Sequence, residues 1–148
     1  MATAYARAFV GKDERVARLR TVPLFAGCSD KQLAFIATRV EELDFPAGKV
    51  LTEEGKTGGD FFIILSGNAD VRRRGNTMNR MGPGDFFGEI ALLDQGPRSA
   101  TVVTTTPMRA LVLGPGQFQD VLQQDADIAR QMLYAVTKRL RATGAAAD

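Results

Sequence analysis

Phe87-Gly88-Glu89-Ile90-Ala91-Leu92-Leu93-Asp94-Gln95-Gly96-Pro97-Arg98-Ser99-Ala100-Thr101-Val102 is the stretch that decides how this chain reads. A glycine precedes one carboxylate and a one-turn apolar segment; Pro-Arg, small residues and a β-branched run follow. A glycine ahead of a short helix lets the first backbone N–H groups face outward, where an anion is favoured. Arg98 adds a planar, permanently charged fork that suits phosphate. Glu89 would repel a phosphate and needs a donor instead, which a sugar hydroxyl supplies. The segment therefore reads as a pocket for a small ligand that carries both a phosphate and a ribose. A turn stitched by a Glu89–Arg98 ion pair would account for the charges, but not for the glycine or the small residues after Arg98.

The spacing resembles the phosphate-binding cassette of the cyclic nucleotide-binding domain family, which includes the sensor domains of catabolite activator proteins and protein kinase A regulatory subunits. That family runs Phe-Gly-Glu-(Leu/Ile)-Ala-Leu, a few variable residues, then Pro-Arg-(Ala/Ser/Thr)-Ala-(Thr/Ser)-Val, and every position is filled here in order. Upstream, Glu54-Gly55-x-x-Gly58 before Phe61-Phe62-Ile63-Ile64-Leu65-Ser66-Gly67 is similar to the family's second glycine signature. One departure is visible: Gly59 follows the turn glycine, where an acidic residue is usual, and Asp60 comes next.

The resemblance implies a mainly β fold with flanking helices. Its centre is an eight-stranded β-roll, or jelly roll, with N-terminal helices, a short internal phosphate-binding helix and C-terminal lid helices. By matched position it assigns Arg98 to the cyclic phosphate, with backbone N–H groups around Ala91, Ser99 and Ala100 completing the cradle. Glu89 and the Gly88 backbone take the ribose 2′-hydroxyl, and Phe87 and Ile90 belong to the same ligand set. Val71 and Met78 fall where relatives face the base, and Arg141 and Thr143 are the polar candidates for lid contacts. Threonine after the cassette arginine goes with cyclic GMP in relatives and alanine with cyclic AMP. Ser99 stands between them, which implies a modest preference for cyclic AMP, with cyclic GMP as the competitor and no further cofactor.

Composition agrees with one domain over residues 1–148. With 148 residues the chain can bury a real core, and 45% hydrophobic with 24% charged content is that of a globular protein. No apolar run approaches the ~20 residues that span a bilayer, and the N-terminus lacks a secretory apolar core. Cys28 is the only cysteine, which excludes an internal disulfide and Cys-x-x-Cys sites. A cytoplasmic protein is expected. There is no histidine, so a Ser-His-Asp hydrolase and a histidine-based metal centre are both excluded. No metal site and no catalytic residues are assigned; a binding module is expected, not an enzyme.

Two glycine patterns mislead. Gly55-Lys56-Thr57 ends like a P-loop but leads into Phe61-Phe62-Ile63-Ile64-Leu65, a strand pattern and not a helix. Gly82, Gly84 and Gly88 are spaced one residue too widely for a dinucleotide fingerprint.

Along the chain, residues 1–40 hold N-terminal helices. An amphipathic pattern over 3–20 places Tyr5, Phe9, Val16 and Leu19 among basic residues, with an interruption near Gly11. Ser29-Asp30-Lys31-Gln32 is a capping-box signature for a helix that buries Leu33, Phe35, Ile36 and Val40. Residues 41–113 form the β-roll, with the cassette at 86–102 and short β runs cut by turns such as Gly75-Asn76 and Gly82-Pro83-Gly84. Residues 114–142 are C-terminal helices with the stripe Ile128, Met132, Leu133, Val136 and Leu140, and 143–148 form a tail. Arg72-Arg73-Arg74 reads as a solvated hairpin tip. A formal net charge of +2 does not by itself argue for nucleic acid.

The partners implied are a cyclic nucleotide and an unidentified effector protein or domain, with no membrane span and no DNA-binding domain in this sequence; homodimerisation is left open. Two other readings stand beside the receptor. One is a degenerate member that serves as a protein-interaction scaffold. The other is the isolated sensor module of a larger transcription factor, channel or enzyme.

Overall fold

In the computed structural model, which describes residues 9–142, helices flank two packed sheets. The first layer is α1 (Lys12–Arg20), a 3-10 turn (Pro23–Phe25) and α2 (Asp30–Ala37). Gly11 is the extended N-cap of α1, so the expected interruption is where the helix starts; Tyr5 lies outside the described residues. The capping box of α2 is complete, with Gln32 N–H donating to Ser29 Oγ at 3.2 Å and Ser29 N–H to Gln32 Oε1 at 2.9 Å. It satisfies two N-terminal donors that the helix itself cannot.

Eight strands follow: β1 (Glu41–Phe45), β2 (Val50–Thr52), β3 (Phe61–Ser66), β4 (Ala69–Arg73), β5 (Asn76–Met81), β6 (Phe86–Phe87), β7 (Thr101–Thr104) and β8 (Met108–Leu113). They form two four-stranded antiparallel sheets, β1-β8-β3-β6 and β2-β7-β4-β5, which together make the β-roll. Between β6 and β7 lies the six-residue helix α3 (Glu89–Asp94); α4 (Pro115–Gln124) and α5 (Ala126–Ala142) close the chain.

Strand β3 explains why the first sheet reads as an unbroken apolar run. Side chains alternate between faces, so Phe61 and Ile63 join one core while Phe62 and Ile64 join another. The outer core also takes Leu19, Leu24, Phe25, Leu33 and Ile36 from the N-terminal layer and Phe118, Val121, Ile128 and Met132 from the C-terminal helices. The inner core, between the sheets, holds Phe62, Ile64, Val102, Ala110 and Val112, with the Phe62 and Phe87 rings stacked 4.7 Å apart. A sheet covered on both faces has no room for polar alternation. Its one buried charge cluster sits where β1 and β8 meet the N-terminal segment. Arg109 bonds Glu42 at 2.9 Å and Asp44 at 3.0 Å, and the Val10 N–H donates to Glu42 Oε1 at 2.9 Å.

The C-terminal stripe divides. Ile128 and Met132 are buried, whereas Leu133 is 67% and Leu140 48% exposed. Helix α5 packs on the Pro23–Phe25 turn and on α4, so one side of the stripe is core and the rest faces outward. None of the described helices is long and apolar enough to cross a membrane.

Candidate functional site

The cassette folds as a turn, a helix and a return strand around one cavity of about 330 Å³. Gly88 makes the turn possible. Its backbone is left-handed, with φ +88°, and a Cβ there would lie 2.5 Å from the Asp60 carbonyl oxygen and 2.8 Å from Arg98 Nη1. Only glycine accepts both the conformation and the approach. Glu89 then opens α3 with 8% exposure, a carboxylate held inside the cavity wall. Gln95 ends the helix in a left-handed conformation, and Asp94 Oδ1 accepts from Gly96 N–H at 2.8 Å.

Arg98 is held from both sides. Its backbone exchanges hydrogen bonds with the glycine loop, Arg98 N–H to Lys56 O at 2.9 Å and Gly55 N–H to Arg98 O at 2.8 Å. Its guanidinium lies against Gly88 and Gly58 and donates through Nη2 to Asp60 O at 2.7 Å. Burial pulls its pKa down and the Asp60 carboxylate works the other way; a guanidinium stays charged in either case. The upstream glycine signature therefore serves the cassette directly. Gly59, the departure from the family pattern, faces Pro115 with only 3.0 Å left for a Cβ, and Asp60 supplies the carbonyl that holds Arg98.

The remaining walls come from the sheets. Val71, Met81, Phe87 and Val102 make an apolar floor, while Ser99 and Ala100 continue the polar rim. Thr52 Oγ1 donates to Ala100 O at 3.0 Å and secures the return strand. The cavity thus pairs a cation and a buried carboxylate with an apolar surface, and its volume is within the range of small-molecule pockets.

Of the residues singled out from the sequence, Val71, Phe87, Gly88, Glu89, Ile90, Ala91, Arg98, Ser99 and Ala100 line this cavity together. Met78 does not, and is 59% exposed. A β-bulge is the reason: Val71 pairs with Asn79 but Arg72 with Thr77, which leaves Met78 as the extra residue out of alternation. Met81, opposite Ala69, takes the inner position instead. Arg141 is exposed near the end of α5 and outside the lining, and Thr143 lies outside the described residues. No described residue of α5 lines the cavity; the helix rests on the helical layer, with Gln131 against Gly27. Sequence reasoning missed Thr52, Met81, Asp94 and Pro97, and also Arg73 and Val102. A two-residue period from Val71 and from Ala100 was the available signal for both.

Known proteins resemble this chain in sequence and in fold. The family model described as "Cyclic nucleotide-binding domain" matches residues 42–125. A "CRP-like cAMP-activated global transcriptional regulator" of Mycobacterium tuberculosis is 32% identical over 136 residues, 88% of this chain and 59% of the regulator. A "cAMP-dependent protein kinase regulatory subunit" of Eremothecium gossypii is 36% identical over 113 residues, 76% of this chain and 25% of the subunit. The chain thus spans about three fifths or less of the length of these curated relatives. Among solved structures, the N-terminal domain of a transcriptional regulator from Streptomyces coelicolor superposes with a TM-score of 0.78 at 34% identity, covering 86% of this chain and 92% of that domain. The regulatory domain of Toxoplasma gondii protein kinase A, solved with cAMP, gives 0.69 at 30% identity, covering 82% of this chain and 48% of that one. With its roll, its cassette and a matching family model over more than half its length, this chain belongs to the cyclic nucleotide-binding domain family.

Proposed function

We propose that this chain is the sensing domain of a cytoplasmic receptor for a 3′,5′-cyclic nucleotide, cyclic AMP in preference to cyclic GMP, and not an enzyme. The observation that carries the reading is the convergence of Arg98, buried Glu89 and the Val71–Met81–Val102 floor on one cavity. In this reading Arg98 and the backbone N–H groups of Ala91, Ser99 and Ala100 take the phosphate. Glu89 and the Gly88 backbone take the ribose 2′-hydroxyl, and the floor takes the base. The relatives named for cyclic AMP support the choice of base, as does the small side chain of Ser99. In this reading the signal leaves the cavity through the helices. Arg98 grips the Asp60 carbonyl, and the adjoining Gly59 packs on Pro115, the first residue of α4. A phosphate that competes for Arg98 therefore acts on the segment against which α4 and, behind it, α5 are seated. Ligand shifts the helices only to the extent that it binds their two positions differently.

Calorimetric titration with cyclic AMP tests the reading on the wild type and on Arg98→Ala. Removing one partner of a hydrogen-bonded charge pair costs ~2–5 kcal/mol, or roughly 30-fold or more in affinity. An Arg98→Ala protein that is folded by circular dichroism and binds as tightly as the wild type overturns the assignment. Hydrogen exchange tests the relay: cyclic AMP is expected to slow exchange in residues 87–101 and to change it in 115–142. A change confined to the cassette removes the helices from the signal path.

A further inference from the structure

The three consecutive arginines of the β4–β5 hairpin do three different things. Arg72 turns to the outer face, with Nη2 3.5 Å from Asp70 Oδ2. Arg74 and Gly75 form the turn itself, with φ +53° and +81°, as a two-residue type I′ hairpin requires. The turn is therefore one residue earlier than the Gly75-Asn76 dipeptide suggests, and the Arg74 N–H ties it to Glu54 Oε1 at 2.9 Å. Arg73 follows Ala69 and Val71 on the inner face. It lines the cavity, is exposed at its rim, and donates from Nε to the Ser99 carbonyl at 3.0 Å. Ser99 directly follows Arg98, so this bond fixes a second guanidinium at the end of the cavity that the reading above gives to the phosphate.

The charges of the lining give that placement a consequence. Among the described residues the charged side chains that line the cavity are Arg73, Glu89, Asp94 and Arg98. Arg98 on its own stands against two carboxylates, one of them the buried Glu89, and its Nη2 is already engaged by the Asp60 carbonyl. Without Arg73 the lining would carry a surplus negative charge and repel an anionic phosphodiester; with Arg73 it is balanced. The neighbouring cations do not share the task, because Arg72 and Arg80 both flank Asp70 and neither lines the cavity. A charge at the rim of a cleft acts chiefly on the association rate and its salt dependence, whereas a buried hydrogen-bonded partner acts on dissociation. Resting on the cyclic nucleotide reading above, we propose that Arg73 steers the anionic ligand: its charge, held in place by the Ser99 carbonyl, offsets Glu89 and Asp94 and sets the rate at which the phosphate enters. Arg73 thus responds to the charge of the ligand and not to its base, so cyclic AMP and cyclic GMP depend on it equally.

The experiment measures association and dissociation rates by stopped flow for wild type, Arg73→Gln and Arg73→Lys, with cyclic AMP and cyclic GMP that carry a fluorophore on carbon 8 of the base. Glutamine removes the charge but keeps a donor for the Ser99 carbonyl, and lysine keeps the charge without the fork. One exposed charge corresponds to roughly 2- to 5-fold. Arg73→Gln is expected to slow association of both nucleotides by that factor at low salt, with dissociation little changed. The difference from wild type should close at about 1 M salt, where the Debye length falls to about 3 Å. Arg73→Lys should associate like the wild type. A loss carried by dissociation and indifferent to salt is what a clamp on the return strand alone would give, and it overturns the proposal. An unchanged association rate in Arg73→Gln overturns it as well, and so does an equal loss in Arg73→Lys or a loss for one nucleotide only. A wild type that binds neither nucleotide refutes the receptor reading itself, and this inference with it.

Discussion

Gly88→Ala is the substitution for which the structure allows the fullest reckoning. The left-handed backbone at φ +88° costs an alanine ~1–2 kcal/mol. The added methyl group would stand 2.5 Å from the Asp60 carbonyl, which is backbone leading into β3, and so cannot swing aside as a flexible side chain would. Forcing an extra methyl into a packed site adds about 1–3 kcal/mol, for a total loss of roughly 2–5 kcal/mol. In a protein of this size that is a fall of about 4–20 °C in melting temperature. Gly48→Ala supplies the control, because Gly48 has φ +80° with nothing within 4 Å of a Cβ. It carries the conformational cost alone, so the difference between the two variants isolates the contact. Binding should separate them further. The methyl group also meets Arg98 Nη1 at 2.8 Å, and displacing that guanidinium forfeits a charge-assisted hydrogen bond to phosphate, ~1.5–3 kcal/mol or about 10- to 150-fold in affinity. Thermal or urea unfolding with calorimetric titration of both variants decides it. A Gly88→Ala protein no less stable than Gly48→Ala, with wild-type affinity, refutes the argument that Gly88 is required by its neighbours.

Glu89→Ala should cost ~1.5–3 kcal/mol of cyclic AMP affinity; 2′-deoxy cyclic AMP should lose little more in that variant, and additive losses would remove Glu89 from the ribose contact. Arg109→Met removes the 2.9 Å ion pair of Glu42, whose side chain is 1% exposed, and leaves it the Val10 N–H and Arg15 at 3.8 Å, so the urea midpoint should drop further than in Gly48→Ala while cyclic AMP affinity is retained; a large loss of affinity would tie the cluster to the site. The Cys28 thiol is pushed up from 9.0 to about 11, first by burial and then by Asp125 and Asp127, so alkylation at pH 8 should be roughly 100-fold slower than for an unfolded cysteine. Because the folded thiol keeps its proton longer than the unfolded one, its contribution to stability is full below about pH 9 and is lost as pH rises through about 11; comparison of wild type with Cys28→Ala across that interval reads it, and an advantage that grows with pH would contradict the sign.

What was legible in the sequence was local. The cassette is nearly continuous, so its glycine, Glu89 and Arg98 could be identified from their chemistry and from the resemblance of the motif, and they converge on one cavity. The capping box of α2 and the short β runs between turn residues are also local signals, and the described helices and strands follow them. The base-facing side of the pocket was another matter. Whether Met78 or Met81 points inward depends on a bulge, and a bulge is decided by how β4 and β5 pair, which no window of sequence contains. Arg73 reads as one of three equivalent surface arginines until the register of β4 turns it toward Ser99. The same holds for Arg109, a charge inside an apolar strand pattern, whose partners Glu42 and Asp44 lie more than sixty positions away and meet it only across a sheet. The stripe of α5 marked an apolar face but not its partner; packing on the Pro23–Phe25 turn buries Ile128 and Met132 and leaves Leu133 outside. Motif chemistry is carried by residues close in the chain, so the sequence by itself determined the family and the charged half of the site. Pairing register and the docking of distant elements set which side chains complete that site, and only the tertiary structure decided those.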